Sequence, residues 1–147
     1  MKTAWRIISK RGKADGFVCD ACFDVSGIKI GVDFAIADAG ATGHFLVPGA
    51  PVKNMVKAAY PLSINLPQGE VIKSTHEGVL DIPWLPAAAR KAHIVPDLVH
   101  SSLVSIRELC NAGCKVHYDG DYVNVIYEGK IVWQGVKEPT TDLWFYL

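Results

Sequence analysis

The 147-residue chain has no excess of charge, since 15 Lys and Arg stand against 15 Asp and Glu. Such a balance offers no field to gather nucleic acid, an anionic membrane or an acidic substrate, so no nucleic-acid or membrane partner is expected. Long apolar runs are missing as well. No stretch is long enough to span a bilayer, and the opening residues MKTAWRIISKRGKADG lack the apolar segment of a secretory signal. The expected location is therefore cytoplasmic. There is no internal repeat and no low-complexity linker, and 147 residues are too few for two ordinary domains. With 50% of its residues hydrophobic, the chain is expected to form one domain over 1–147, with about residues 1–15, polar and basic, as a frayed leader.

Metal and nucleophile patterns are equally thin. Four cysteines, Cys19, Cys22, Cys110 and Cys114, give a C-x2-C and a distant C-x3-C that loosely match zinc spacing. The second pair, in IRELCNAGCKV, is explained by a helix ending at Gly113, which makes both residues buried apolar thiols. Reduced thiols suit an intracellular chain. His44, His76, His93, His100 and His117 lie in separate segments with no i,i+4 pair, so surface or core roles are expected and no metal or other cofactor. Ser101, Ser102 and Ser105 lie near His100, yet no G-x-S-x-G elbow is present, which argues against a nucleophilic serine.

Helical periodicity is found once, in SSLVSIRELCNAG, where Ser101 or Ser102 could cap, Leu109 can face the core and Gly113 supplies a left-handed stop. Elsewhere β-branched and aromatic residues alternate between turn signals. Strands are expected within GFVCDACFDV, IKIGVDFAIA, PLSINL, EVIKSTHEGVLDIP, KAHIVP, KVHYD, YVNVIYE, KIVWQG and LWFYL, joined by turns at DVSGI, LPQGE, YDGDY and YEGK. This rhythm predicts an all-β fold, a closed β-barrel with one short α-helix near Arg107 to Asn111.

Within that frame one stretch carries chemistry. In FAIADAGATGHFL, Phe34 and Ile36 alternate with Ala35 and Ala37, so the strand buries one face and delivers Asp38 to its end. Gly40 permits unusual backbone angles, and Ala41 and Thr42 leave space above the loop. A carboxylate so placed can accept backbone N–H bonds and keep one oxygen for a water. A second Asp-x-Gly-Ala is absent, since Asp15 and Asp119 lie in plain turn sequences. In SINLPQGEVIKS, the turn at Pro67, Gln68 and Gly69 joins two alternating strands and could form a hairpin over a bound chain.

AIADAGATGHF resembles the active-site segment of retropepsin-like aspartic proteases, where two apolar residues precede Asp-Ser/Thr-Gly-Ala. HIVPDLVHSSLVSIRELCNAGCKVHYDG resembles the second half of the proteases of copia-type retrotransposons. The two segments occur in the family's order, and the resemblance runs from about Val32 to the C-terminus. It implies a retropepsin-type barrel and an aspartic endopeptidase that cleaves its own Gag-Pol polyprotein. It makes Asp38 catalytic, gives Gly40, Ala41 and Thr42 to the substrate cleft, and gives Pro67, Gln68 and Gly69 to a flap. Leu103 and Val104 become the apolar pair that supports the active-site loop with Ala39 and Ser105, which stands where many retropepsins carry Gly. The mechanism uses two carboxylates that share one proton around a water. One Asp38 per chain therefore implies a homodimer, with polypeptide as substrate and a second copy as partner.

Ala39 departs from the family. There the residue after the catalytic Asp is Ser or Thr, and its hydroxyl bonds across the twofold axis to the other loop. An alanine methyl cannot, which opens an alternative: a catalytically inactive retropepsin-like domain serving as a structural or interaction module.

Overall fold

The computed structural model describes residues 34–67, 69–98, 101–137 and 143–147. The strand expected in GFVCDACFDV, the start of IKIGVDFAIA, the turn DVSGI, the leader, Cys19, Cys22, Gln68 and His100 lie outside the described residues.

The described residues are mostly β-strand. In chain order they form β1 (Phe34–Asp38), β2 (His44–Leu46), β3 (Val52–Lys57), β4 (Ser63–Asn65), β5 (Val71–Lys73), β6 (His76–Leu80), a 3-10 helix (Ala87–Ala89), β7 (Lys91–Ile94), β8 (Ser102–Ser105), α1 (Ile106–Asn111), β9 (Lys115–Tyr118), β10 (Tyr122–Tyr127), β11 (Lys130–Lys137) and β12 (Leu143–Tyr146). Ten strands make one sheet in the order β3-β6-β7-β2-β8-β1-β12-β11-β10-β9, and β4 with β5 makes a separate hairpin. Among the described residues no helix is long and apolar enough to cross a membrane.

Turn chemistry sets the hairpins. Between β10 and β11, Glu128 and Gly129 both take positive φ, 50° and 79°, the twist that a two-residue hairpin turn requires. β9 and β10 meet at Asp119, whose Oδ1 accepts the N–H groups of Asp121 and Tyr122. EVIKSTHEGVLDIP is not one strand. It breaks at Ser74 and Thr75, because the Ser74 N–H is drawn to the Leu62 carbonyl and leaves the β6 line.

The sheet is open in its pairing, with β3 and β9 as its edges, so the expected closed ring of hydrogen bonds is not present among the described residues. The β3 edge is blunted by a register shift between Lys53 and Val56, by a left-handed Asn54 and by Lys53 and Lys57, features that stop an edge from recruiting another strand. Strand β1 sits inside the sheet, parallel to β8 and antiparallel to β12. Phe34 and Ala35 are consequently both buried, rather than one face of an alternating strand. The core gathers Ala35, Leu46, Leu80, Val104, Leu109, Val125 and Phe145, with Trp133 stacked on Phe145 at 4.2 Å between ring centres.

The helix falls where its periodicity puts it, but neither Ser101 nor Ser102 caps it. Ser102 belongs to β8, and Ser105 is the cap, its side chain accepting the Glu108 N–H at 3.1 Å. Gly113, at φ 97°, ends the helix in the left-handed region. Only one of the two described thiols is buried: Leu109 takes the core-facing position, which turns Cys110 outward, while the chain folds back after Gly113 and buries Cys114.

Candidate active site

Asp38 ends β1 opposite Ser105 in the β1–β8 register, so the two apolar segments singled out in the sequence meet side by side. Its Oδ1 accepts the Gly40 N–H at 2.7 Å. Among the described residues Oδ2 has no hydrogen-bond partner and is free to hold a water. Gly40 permits unusual backbone angles but does not take a positive φ. It is needed for closeness instead, since a Cβ there would lie 3.3 Å from Asp38 Oδ1 and crowd the carboxylate.

Beside Asp38 opens a cavity of about 560 Å3, a size suited to a small ligand or a few residues of extended peptide. Asp38, Gly40, Ala41, Thr42 and Leu103 form one side, and β4 with its flanks, Leu62 to Pro67, forms the other. Asp38 is the only acidic side chain among the described lining residues. The expected hairpin therefore stands over the carboxylate, with Pro67 reaching the cavity and Gly69 at the exposed turn beyond it, at φ 95°. Leu66 accepts the Gly69 N–H and donates its own to the Glu70 carbonyl, which closes that turn.

One apolar socket seats the hairpin and one pair of hydrogen bonds closes its base. Ile72 is 4% exposed and packs with Ala41, Phe45 and Val95, against which Ile64, Leu66, Leu98 and Leu103 also lie. Ser74, also buried, bonds Leu62 twice: its Oγ accepts the Leu62 N–H at 2.8 Å and its N–H donates to the Leu62 carbonyl at 3.0 Å. Phe45, Leu62, Ile64, Leu66 and Leu98 carry no local motif, because the lining joins Phe45 of β2 and Leu98 after β7 to the distant hairpin residues.

The supporting residues divide. Val104 and Ser105 are fully buried behind the loop, while Ala39 is exposed and does not line the cavity. Ser105 Oγ donates to the Ala41 carbonyl at 2.7 Å while accepting from Glu108, so one hydroxyl braces both the loop and the helix. His44, buried next to it, accepts the Ser105 N–H on Nδ1 at 3.0 Å and meets the Ala89 carbonyl with Nε2 at 2.7 Å. Burial holds its pKa below the ordinary histidine value, and does the same to His93. Burial pushes the Cys114 thiol up, so it stays protonated and is no nucleophile. Among the described residues no group of three or more His, Cys, Asp or Glu could hold a metal ion. Comparison of the chain with protein-family models, curated proteins and solved structures gives no match.

Proposed function

We propose that this chain is an aspartic-type endopeptidase of the retropepsin type, working as a homodimer in which the Asp38 carboxylates of two copies share one proton. The observation that carries the reading is Asp38 itself, among the described residues the one acidic group lining a 560 Å3 cleft that the hairpin also lines, with an oxygen that none of them bonds. In the assembled site one carboxylate takes a proton from the water as its oxygen attacks the scissile carbonyl carbon. The other, protonated, gives its proton to the carbonyl oxygen. Return of a proton to the amide nitrogen then breaks the C–N bond. Apolar walls at Phe45, Ile64, Leu66 and Leu103 suit an extended polypeptide, and the substrate class is the chain's own retroelement polyprotein inside the cell. A closed barrel of the retropepsin type is part of the same proposal.

The test is cleavage of peptides and its block by a statine-type mimic. Asp38→Asn should lower the rate by about 10³-fold or more while leaving the far-UV spectrum unchanged, since general acid and base roles are both lost. Cleavage by Asp38→Asn at the parental rate would overturn the mechanism, and specific activity independent of protein concentration would overturn the dimer. A second reading, a non-catalytic retropepsin-like module, is favoured by one observation, the methyl of Ala39 where a hydroxyl would brace the paired loops.

A further inference from the structure

Beneath the Asp38 loop lies a histidine with no part in the proton transfers described above. His44 opens β2 and is 1% exposed, and both of its ring nitrogens are engaged. Nδ1 faces the Ser105 N–H at 3.0 Å, and Nε2 faces the Ala89 carbonyl at 2.7 Å. An N–H only donates and a carbonyl only accepts, so the ring that satisfies both is neutral and carries its proton on Nε2. The bonds continue from Ser105 Oγ to the Ala41 carbonyl, three residues after Asp38. One path of hydrogen bonds thus joins the 3-10 helix, β2, β8 and the Asp38 loop.

We propose that His44 is a positioning residue, a neutral clamp that holds the Asp38 loop through Ser105 and releases it when the ring gains a second proton. A proton on Nδ1 would point at the Ser105 N–H. Two donors would then face each other in a dry site, and the Ser105 amide would lose its acceptor, a burial cost that the loop escapes by opening. The groups acting on the ring come from three of the elements around it. Glu108 of α1 and the Ala89 carbonyl favour the charged ring, and His93 of β7 opposes it. Strand β8 contributes no titratable side chain, and the neighbouring Asp38 of β1, paired with Ser105 in register, and Arg90, next to Ala89, are not among the groups that shift the ring. Burial, the largest effect, outweighs them all and holds the ring's pKa below the ordinary histidine value. The catalytic consequence, an acid limb in the rate profile beyond that of the carboxylate pair, rests on the endopeptidase reading.

The test uses the full chain, labelled for NMR, over about pH 8 to about pH 4. The ring nitrogens of His44 and the backbone amides of Gly40, Ala41, Thr42 and Ser105 are followed together. The loop amides should shift along the His44 titration curve. Exchange protection of the Ser105 amide, corrected for intrinsic rates, should fall up to about tenfold per pH unit between the ordinary histidine value and the lowered one, the slope of one linked proton. His44→Asn, whose Oδ1 can accept the Ser105 N–H and does not titrate, should lose that step and should move the acid limb of kcat to lower pH. Loop signals that stay flat while His44 titrates overturn the clamp, as does an unchanged step in His44→Asn. Should that variant fail to fold, the correlation of ring and loop in the parent chain decides alone. A loop that titrates in a chain with no cleavage at any pH supports the clamp and overturns the endopeptidase. Cleavage with a flat loop does the reverse.

Discussion

The floor and the roof of the cleft are held in opposite ways. The floor is the interior of a ten-stranded sheet, where β1 lies between β8 and β12, where Val104 is buried, and where buried Ser105 is bonded to both His44 and the Ala41 carbonyl. The roof is a pair of three-residue strands that pair only with each other, with Ser63, Asn65, Val71 and Lys73 exposed. A two-stranded hairpin is marginal by itself in water. Ile72, with Ile64 and Leu66 beside it, packs this one into one apolar socket, while the paired Ser74–Leu62 bonds only close its base. The difference assigns precision to the carboxylate and motion to its cover, because few buried contacts mean a low cost of local opening.

The strongest way to break the contrast is to remove the floor's brace. Ser105→Ala deletes the donor to the Ala41 carbonyl and the cap of α1 together, in a site with no exposure to water. A lost cap and an unsatisfied buried carbonyl sum to about 2–4 kcal/mol, felt by the whole sheet. The denaturant midpoint should fall with an unchanged m-value. A midpoint equal to that of the parent chain would show that the loop does not depend on Ser105.

The roof should respond differently to a comparable cut. Ile72→Ala empties the socket formed by Ala41, Phe45 and Val95 and should cost about 2 kcal/mol, the low end for such a truncation, since the cavity alongside lets the hairpin resettle. The loss should be local. Amide exchange across 62–74 should accelerate while the global midpoint falls by less than the full cost, because opening of the roof caps the loss, and a fully cooperative loss of stability would mean that the roof is as integral as the floor.

Acid sharpens the comparison further. His44 and His93 both have pKa values lowered by burial, so the unfolded chain takes up their protons more readily than the folded one. Their contribution is fully present above the ordinary histidine value of about 6.5 and is lost as the pH falls through it toward the lowered values. For His44, the better buried, the loss is at most about 1.4 kcal/mol per pH unit. Denaturation followed from neutral to mildly acid pH should show this decline, reduced in His44→Asn. Exchange in the exposed roof should be insensitive to the same substitution.

Sequence made the turns and the carboxylate readable, and long-range closure hid the rest. Glu128–Gly129, Asp119 and the helix at Ile106 announce themselves because their signals are local: positive φ, an Asx turn, a periodic run with a glycine stop. Strands β2 and β8 are too short for an alternating pattern, and β3 is mostly exposed with lysine and asparagine in its run, so none of the three stood out. The cap expected at Ser101 or Ser102 moves to Ser105 for the same reason, because β8 is continuous with the helical run in sequence. In the site, Asp38 and its neighbours were legible as a motif and Pro67 as a turn. The bonds of His44 reach residues 45 and 61 positions away, and the socket of Ile72 is assembled from three separate segments, so no local pattern could announce either.

The smallest expected effect within one chain separates the two functional readings. Ala39 is exposed at the end of β1 and is not among the described residues that line the cavity. Ala39→Ser should therefore leave the stability of the isolated chain within about 0.5 kcal/mol, as for other surface changes. Its effect belongs to the pair. Where two Asp38 loops face each other, each serine can donate across the axis, and a reformed buried bond is worth on the order of 1–3 kcal/mol. Even the lower figure tightens association several-fold. Analytical ultracentrifugation and peptide cleavage, run on both forms at matched concentration, read the two consequences separately. Tighter dimers with faster cleavage would place Ala39 at the junction of two active-site loops. Unchanged association and no gain in rate would mean that the loops do not meet, and that Asp38, however well its floor is built, stands without the second carboxylate that the chemistry needs.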